Sequence, residues 1–426
     1  MIKKLSALLF VLTLIISVKA DAYWVGRDAA FHEKYSLQKM TILSRHNIRS
    51  PLTAPGSDVE KVTPHKWFKW TSRPAELSLK GAQLETIMGQ YFRRALTSEK
   101  LVAEVYKPKE GEMRFYANSK QRTIATARYF AAGFIPMADV TVEHKYEPEG
   151  SDLVFSPHLA YYSEGFKNKA EKEMQDMIKN RGIKNKLETA YKTLEKVIDY
   201  KDSPLAKSGK KFTANDMKII IEKDKQPQVK GSFRLALSTV DALILQYYEE
   251  PHDKAATFGH TLTTKEWEQL GSVIDIYYDV TLKTTSVAPN VVHRFLGVMN
   301  DELSNKNRKF SFLCGHDSTI AATLAALDVK PYSLPNAIER QTPIGVKFVV
   351  SVWKDKNGEE YAAPELVYQS VNQLKNREIL TEDNPPMVYR LKLNGLNENK
   401  DGLYRLKDVE GRFAQAIQYF DELKKL

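Results

Sequence analysis

Apolar residues in this chain come in short runs that stop abruptly at polar clusters, separated by longer stretches with apolar positions at helical spacing. Met40-Thr41-Ile42-Leu43 is one such run and predicts a buried strand over residues 39–44. A helix is predicted over 79–96 and a second strand over 112–117. Another helix should run over 121–132, where Gly133-Phe134-Ile135-Pro136 should break it. Phe310-Ser311-Phe312-Leu313-Cys314 predicts a further buried strand, after which Ser318-Thr319 read as capping residues of a helix over 320–327. Residues 346–353 and 365–369 alternate, and Lys354-Asp355-Lys356-Asn357-Gly358 between them reads as a hairpin turn. From about 164 to 301 the spacing is mainly helical, with no strong alternation. The pattern predicts an α/β domain over 21–137 and 306–426, interrupted by an inserted, mainly α-helical domain over 138–305. No internal repeat or low-complexity segment is present.

The first twenty residues stand apart. Lys3-Lys4, an apolar stretch over 5–18 and the small residues Val18 and Ala20 around Lys19 read as a secretory signal peptide over 1–20. Export implies a periplasmic or secreted protein. The stretch is short for a membrane span, and no later run is long enough for one. Its removal takes away three lysines and no acids, so the net charge falls from +10 to +7. With 42% hydrophobic and 27% charged residues over 426 positions, the rest is an ordinary globular chain, long enough for two sizeable cores.

The positive balance does not point to nucleic acid. Lysine and glutamate interleave over 164–211, as in Lys167-Asn168-Lys169-Ala170-Glu171-Lys172-Glu173, the pattern of a solvated helical face. There is no zinc-finger spacing, aromatic–basic stacking motif or basic tail. Cys314 is the sole cysteine, so no intramolecular disulfide is possible. A thiol phosphatase would place an arginine six residues after its cysteine, and that position is Ile320, so Cys314 reads as a buried, inert strand residue. Oligomeric state leaves no signature in the sequence.

The chemistry sits where the apolar runs end. One residue after the first run comes Arg45-His46-Asn47-Ile48-Arg49-Ser50-Pro51. An imidazole between two guanidiniums is a poor core element, because three polar heads would have to be desolvated together. It suits a phosphate: arginine grips phosphate oxygens through paired donors, and a neutral histidine between them can attack phosphorus. After the later run come Gly315 and His316-Asp317, again at a strand end, where open α/β sheets place their ligands. His-Asp alone is as well explained by helix capping. Together the two sites supply complementary parts of one reaction, a nucleophile with cations and a proton donor with a further oxygen ligand. Arg122 begins a helix just after a strand, a position that can meet an anion, although a lone arginine there is usually just solvated.

These motifs are the paired signatures of the histidine acid phosphatases, which include phytases and bacterial glucose-1-phosphatases, and the chain resembles that family. Most members have glycine after the nucleophilic histidine; Asn47 here resembles the glucose-1-phosphatase branch. So do Thr63-Pro64-His65-Lys66-Trp67, Ala117-Asn118-Ser119-Lys120-Gln121-Arg122-Thr123, Tyr200-Lys201-Asp202-Ser203-Pro204, Gly315-His316-Asp317-Ser318 and Thr342-Pro343-Ile344-Gly345. The similarity spans residues 44 to about 370. It implies a mixed, twisted sheet flanked by helices, with the helical insertion as a cap over the site. It further implies a phosphate pocket of Arg45, Arg49, Arg122 and His316, with His46 as nucleophile and Asp317 as proton donor. The implied partner is a small phosphomonoester, with no metal and no cofactor. The remaining histidines (His32, His65, His144, His158, His252, His260, His293) show no metal-ligand spacing such as H-E-x-x-H.

Substrate choice should fall to Leu52, Thr53 and Gln226. Phytate-degrading members generally carry a basic residue two positions past the motif's proline, and this chain has Thr53 there, beside Leu52. The glucose-1-phosphatase branch has a glutamate where this chain has Gln226. A sugar phosphate such as glucose 1-phosphate is the first expectation, and a broad acid phosphatase or phytase the second. A sugar-phosphate-binding protein without chemistry would need the arginines, but has no use for His46 and Asp317.

Overall fold

The structure, a computed structural model, describes residues 24, 26–53, 56–145 and 150–426. The predicted leader over 1–20 lies outside the described residues. Nine strands are described: β1 (Tyr35–Arg45), β2 (Met113–Ala117), β3 (Lys218–Ile220), β4 (Gln228–Lys230), β5 (Phe310–Gly315), β6 (Lys347–Asp355), β7 (Glu360–Tyr368), β8 (Met387–Arg390) and β9 (Tyr404–Arg405). Seven of them form a mixed sheet in the order β2-β5-β1-β6-β7-β8, with β9 also pairing with β7. β2, β5 and β1 run parallel, whereas β1–β6, β6–β7 and β7–β8 are antiparallel. Helices flank both faces, as the family resemblance implied. Among the described residues no helix is long and apolar enough to cross a membrane.

Register fixes the level at which the strands end. Arg45 pairs with Gly315 across β1 and β5, and Ala117 pairs with Cys314 across β2 and β5. His46, Asn118 and His316 therefore emerge side by side from three adjacent parallel strands. Period-two alternation sends Met40, Ile42, Phe312 and Cys314 to one face, against the helices Leu79–Ser98 and Gln121–Phe134. Leu43 and Leu313 go to the other face, into a core continuous with the helical residues of the insertion.

Three sequence expectations need correction. The helix Gln121–Phe134 passes through Gly133 instead of stopping before it. A Cβ on Gly133 would overlap the Thr86 carbonyl oxygen, and one on Gly89 would overlap that of Phe130. Glycine here allows two helices to touch backbone to backbone. Replacing Gly133 with alanine should cost about 1–3 kcal/mol through overpacking; urea unfolding measures it, and an unchanged midpoint would contradict the close crossing. Second, the helix after β5 is Asp317–Ala326, so His316, not Ser318 or Thr319, is the N-cap residue, with its N–H donating to Thr319 Oγ1 at 3.4 Å. The stretch from Glu164 to Ser304 is mainly helical, as its spacing predicts, and carries the short β3–β4 hairpin, too brief to register as alternation.

Third, β1 begins earlier than predicted, at Tyr35. Its register against β6 shifts between Leu37 and Lys39, which interrupts the pattern before the predicted start; Lys39 itself is buried, its Nζ donating to the carbonyls of Leu303 and Asn305, both at 2.6 Å.

Candidate active site

The ends of β1, β2 and β5 meet the helical insertion around a cavity of ~360 Å³. His46, Arg49, Leu52, Thr53, Arg122, Gln226, His316 and Asp317 all line it. Arg45 lies behind the floor, 1% exposed, and reaches forward through its guanidinium. Every site residue named from the sequence thus converges on one place. A larger cavity, ~530 Å³, between Arg181 and Tyr419 contains no histidine.

His46 is nearly buried, and its Nδ1 lies 2.9 Å from the Asn47 carbonyl oxygen. A carbonyl only accepts, so Nδ1 carries the proton and Nε2 keeps its lone pair. Burial first, then Arg122 and Arg49, hold the imidazole well below its ordinary range, so it stays neutral in acid. The rings of His46 and His316 are 5.5 Å apart. Asn118 orients His316: its Oδ1 accepts from Ser119 N at 2.7 Å and Asp152 N at 2.9 Å, which leaves Nδ2 to donate to His316 Nε2 at 2.7 Å. The neutral His316 ring then presents Nδ1–H as a donor.

The cations are held from behind. Arg45 Nη1 donates to Glu339 Oε1 at 2.9 Å, and Nη2 lies 3.1 Å from Asp317 Oδ2. Arg49 Nη2 donates to both carboxylate oxygens of Asp241 at 3.1 Å. Burial and the neighbouring Arg49 push Arg122 down to about 10, the mark of a cation placed for an anion. Burial raises Asp317, but Arg45, followed by His316 and Arg49, outweighs it and leaves the carboxyl below its usual range. Its Oδ1 also accepts from Ser318 N at 2.9 Å, within the first turn of the helix. The set can cradle a phosphoryl group and offers an unprotonated nitrogen beside a carboxyl group.

Sequence reasoning missed Asp241, Tyr278 and Glu339. Tyr278 lines the cavity with Asp317, and burial and then that carboxylate push its hydroxyl far up. An available signal for Asp241 was one acid inside the apolar helical run Val240-Asp241-Ala242-Leu243-Ile244-Leu245. Cys314 is buried in β5, where burial pushes its thiol well up, in keeping with an inert residue. Among the described residues no group of three or more His, Cys, Asp or Glu is arranged to hold a metal ion.

Comparison with known proteins places this geometry. A family model for the histidine phosphatase superfamily (branch 2) matches residues 36–363. The glucose-1-phosphatase of Providencia rettgeri is 36% identical over 391 residues, 90% of this chain and 92% of that protein. The glucose-1-phosphatase of Salmonella typhimurium is 36% identical over 394 residues, 91% of this chain and 94% of that protein. Among solved structures, the apo form of Hafnia alvei phytase superposes with a TM-score of 0.80 at 22% identity, covering 90% of this chain and 97% of that one. That likeness concerns the fold.

Proposed function

Because the chain belongs to the histidine phosphatase superfamily (branch 2), we propose that it hydrolyses small sugar phosphates, glucose 1-phosphate above all, through a phosphohistidine on His46. The observation that carries this reading is the convergence of a lone-pair imidazole nitrogen, Arg49, Arg122 and Asp317 in one cavity, with Arg45 behind its floor at 3.1 Å from Asp317 Oδ2. The arginines neutralise the phosphoryl oxygens, and the neutral His316 ring can donate a hydrogen bond to one of them. His46 Nε2 attacks phosphorus in line, the P–N bond forms, and the ester P–O bond breaks. Asp317 gives its proton to the departing oxygen. The resulting carboxylate then takes a proton from water, whose oxygen attacks phosphorus; the P–N bond breaks and its electron pair returns to Nε2.

The charges give the pH dependence. Asp317 must start protonated, and because its folded value is lowered, the protonated fraction declines as pH rises through that lowered value. His46 must be neutral, and its lowered value keeps it so across the acid range. Activity should peak in acid and fall as pH rises. A phosphate dianion bound beside Asp317 raises its affinity for the proton, so kcat should fall at higher pH than kcat/KM does. A pH–rate profile measures both limbs.

For the substrate, the reading rests on what borders the phosphate site. Leu52 is 58% exposed at the mouth, Thr53 brings no charge, and Gln226 and Ser238 offer neutral hydrogen-bonding groups. Asp241 adds a carboxylate, and Arg234, the one further arginine or lysine among the described residues that line the cavity, lies over the Tyr277 ring at 5.8 Å. Extra phosphates would be desolvated there with little compensation. The deciding experiment compares kcat/KM for glucose 1-phosphate, phytate and an aryl phosphate. Thr53→Lys should shift preference toward phytate and Gln226→Glu away from it, neither altering the aryl ester much. A wild type that prefers phytate contradicts the substrate assignment. Gln226, where the branch has glutamate, favours the second reading of a broader acid phosphatase or phytase.

The basic and apolar leader over residues 1–20 supports export, to the periplasm in a cell with two membranes. Residues 138–305 act in this reading as the cap that covers the site, supplying Gln226, Ser238, Asp241 and Tyr278 to its lining.

A further inference from the structure

Beneath the phosphate loop lies an ion pair that the reaction itself does not use. Glu85, from the helix Leu79–Ser98, and Lys347, from β6, have fully buried side chains, with Nζ 2.8 Å from Oε1. Buried charge pairs are costly to desolvate and are seldom the best way to stabilise a core, so this one calls for another account. Lys347 Nζ also donates to Gly345 O at 3.0 Å and Ser44 Oγ at 3.3 Å, so both backbone segments that flank the loop are tied to it.

The other oxygen of Glu85 leads to the nucleophile. Oε2 accepts from Asn47 Nδ2 at 2.8 Å. Asn47 Oδ1 accepts from Ile48 N at 2.9 Å, and Asn47 N donates to Thr126 Oγ1 at 3.2 Å. Its remaining polar group, the carbonyl, accepts from His46 Nδ1. Every polar atom of Asn47 is therefore committed, and the carbonyl cannot turn without breaking the rest. Gly345 closes the last space: with φ at +70°, a Cβ there would sit 2.8 Å from Asn47 Nδ2, and its N–H donates to His46 O at 3.3 Å. The same helix pins the next residue, since Ser78 N donates to Ile48 O at 2.9 Å and a Cβ on Gly81 would overlap that carbonyl.

We propose that the Glu85–Lys347 pair, acting through Asn47, is a positioning device that keeps His46 in its Nδ1–H tautomer with Nε2 facing the phosphate site. The proposal rests on the reading of His46 as nucleophile. Asn47, Glu85 and Lys347 are positioning residues, since they act through the imidazole and touch no reacting atom.

The test uses Asn47→Ala, Glu85→Gln and the double variant Glu85→Gln/Lys347→Met, which removes both buried charges and stays foldable if the single change is not. Asn47→Ala should lower kcat about 100-fold, the loss expected from a misplaced reacting group. KM and inhibition by inorganic phosphate should stay unchanged, because the arginines are untouched. In the resting enzyme, nitrogen NMR of His46 should show one tautomer in wild type and a mixture in each variant. Adding Asn47→Ala to the double variant should cost nothing more, since both changes cut one path. Full kcat in folded Asn47→Ala, or a single Nδ1–H tautomer in all variants, would overturn the proposal. The tautomer is read without turnover, so a failure to trap a phosphoenzyme would instead count against the nucleophile itself.

Discussion

His46→Ala should lose about 10³–10⁶-fold in kcat while remaining folded and still binding phosphate. The loss is large because the covalent route has no substitute: His316, whose ring lies 5.5 Å from that of His46, has its Nε2 lone pair committed to Asn118 Nδ2. The fold should survive because the His46 side chain contributes one hydrogen bond, to the Asn47 carbonyl, and leaving that acceptor unpaired costs only about 1–3 kcal/mol. Initial rates on glucose 1-phosphate, with phosphate inhibition as the binding control, give the answer. A variant within tenfold of wild type would show that water attacks phosphorus directly.

Asp317→Asn should separate substrates by their leaving groups. Sugar and alkyl esters expel an alkoxide that needs a proton, so their turnover should fall about 10²–10⁴-fold. A nitrophenyl ester expels a stable phenolate and should lose far less. Asparagine preserves the shape and can still accept from Ser318 N at the helix start, so the helix Asp317–Ala326 should stay in place. What it removes is the proton and the charge beside Arg45. The falling limb of the pH profile, governed by loss of the Asp317 proton, should disappear for the variant. Equal losses on both kinds of ester would assign Asp317 to phosphate positioning.

How much of this was legible in the sequence follows from the range of the interactions. His46, Arg49 and Asp317 could be found because each interrupts or follows an apolar run at a strand end, whereas Arg122 stood out only through the family resemblance; parallel register then aligns those strand ends. Their carboxylate supports could not be found that way. Asp241 meets Arg49 across 192 positions and Glu339 meets Arg45 across 294, and no local spacing announces such pairs. Gly133 was misread because a glycine that ends a helix and one that admits a neighbouring helix look alike in one dimension. The first half of β7 was hidden for a related reason. The alternation was read only from residue 365 on, just after Pro364, and Glu365 itself is fully buried, binding Arg27 Nη2 and Trp24 Nε1, each at 3.0 Å. Asn47 was visible as a departure from glycine, but its tie to Glu85 and Lys347 needed three elements to be brought together.

The covalent step is tested most directly by rapid quench in alkaline denaturant, which preserves a phosphorus–nitrogen bond that acid would cleave. Wild-type enzyme mixed with phosphate-labelled glucose 1-phosphate and stopped within a turnover should carry label on one peptide, at His46. His46→Ala should carry none. Label on any other residue, or turnover in wild type with no protein-bound phosphate at any quench time, would contradict the mechanism.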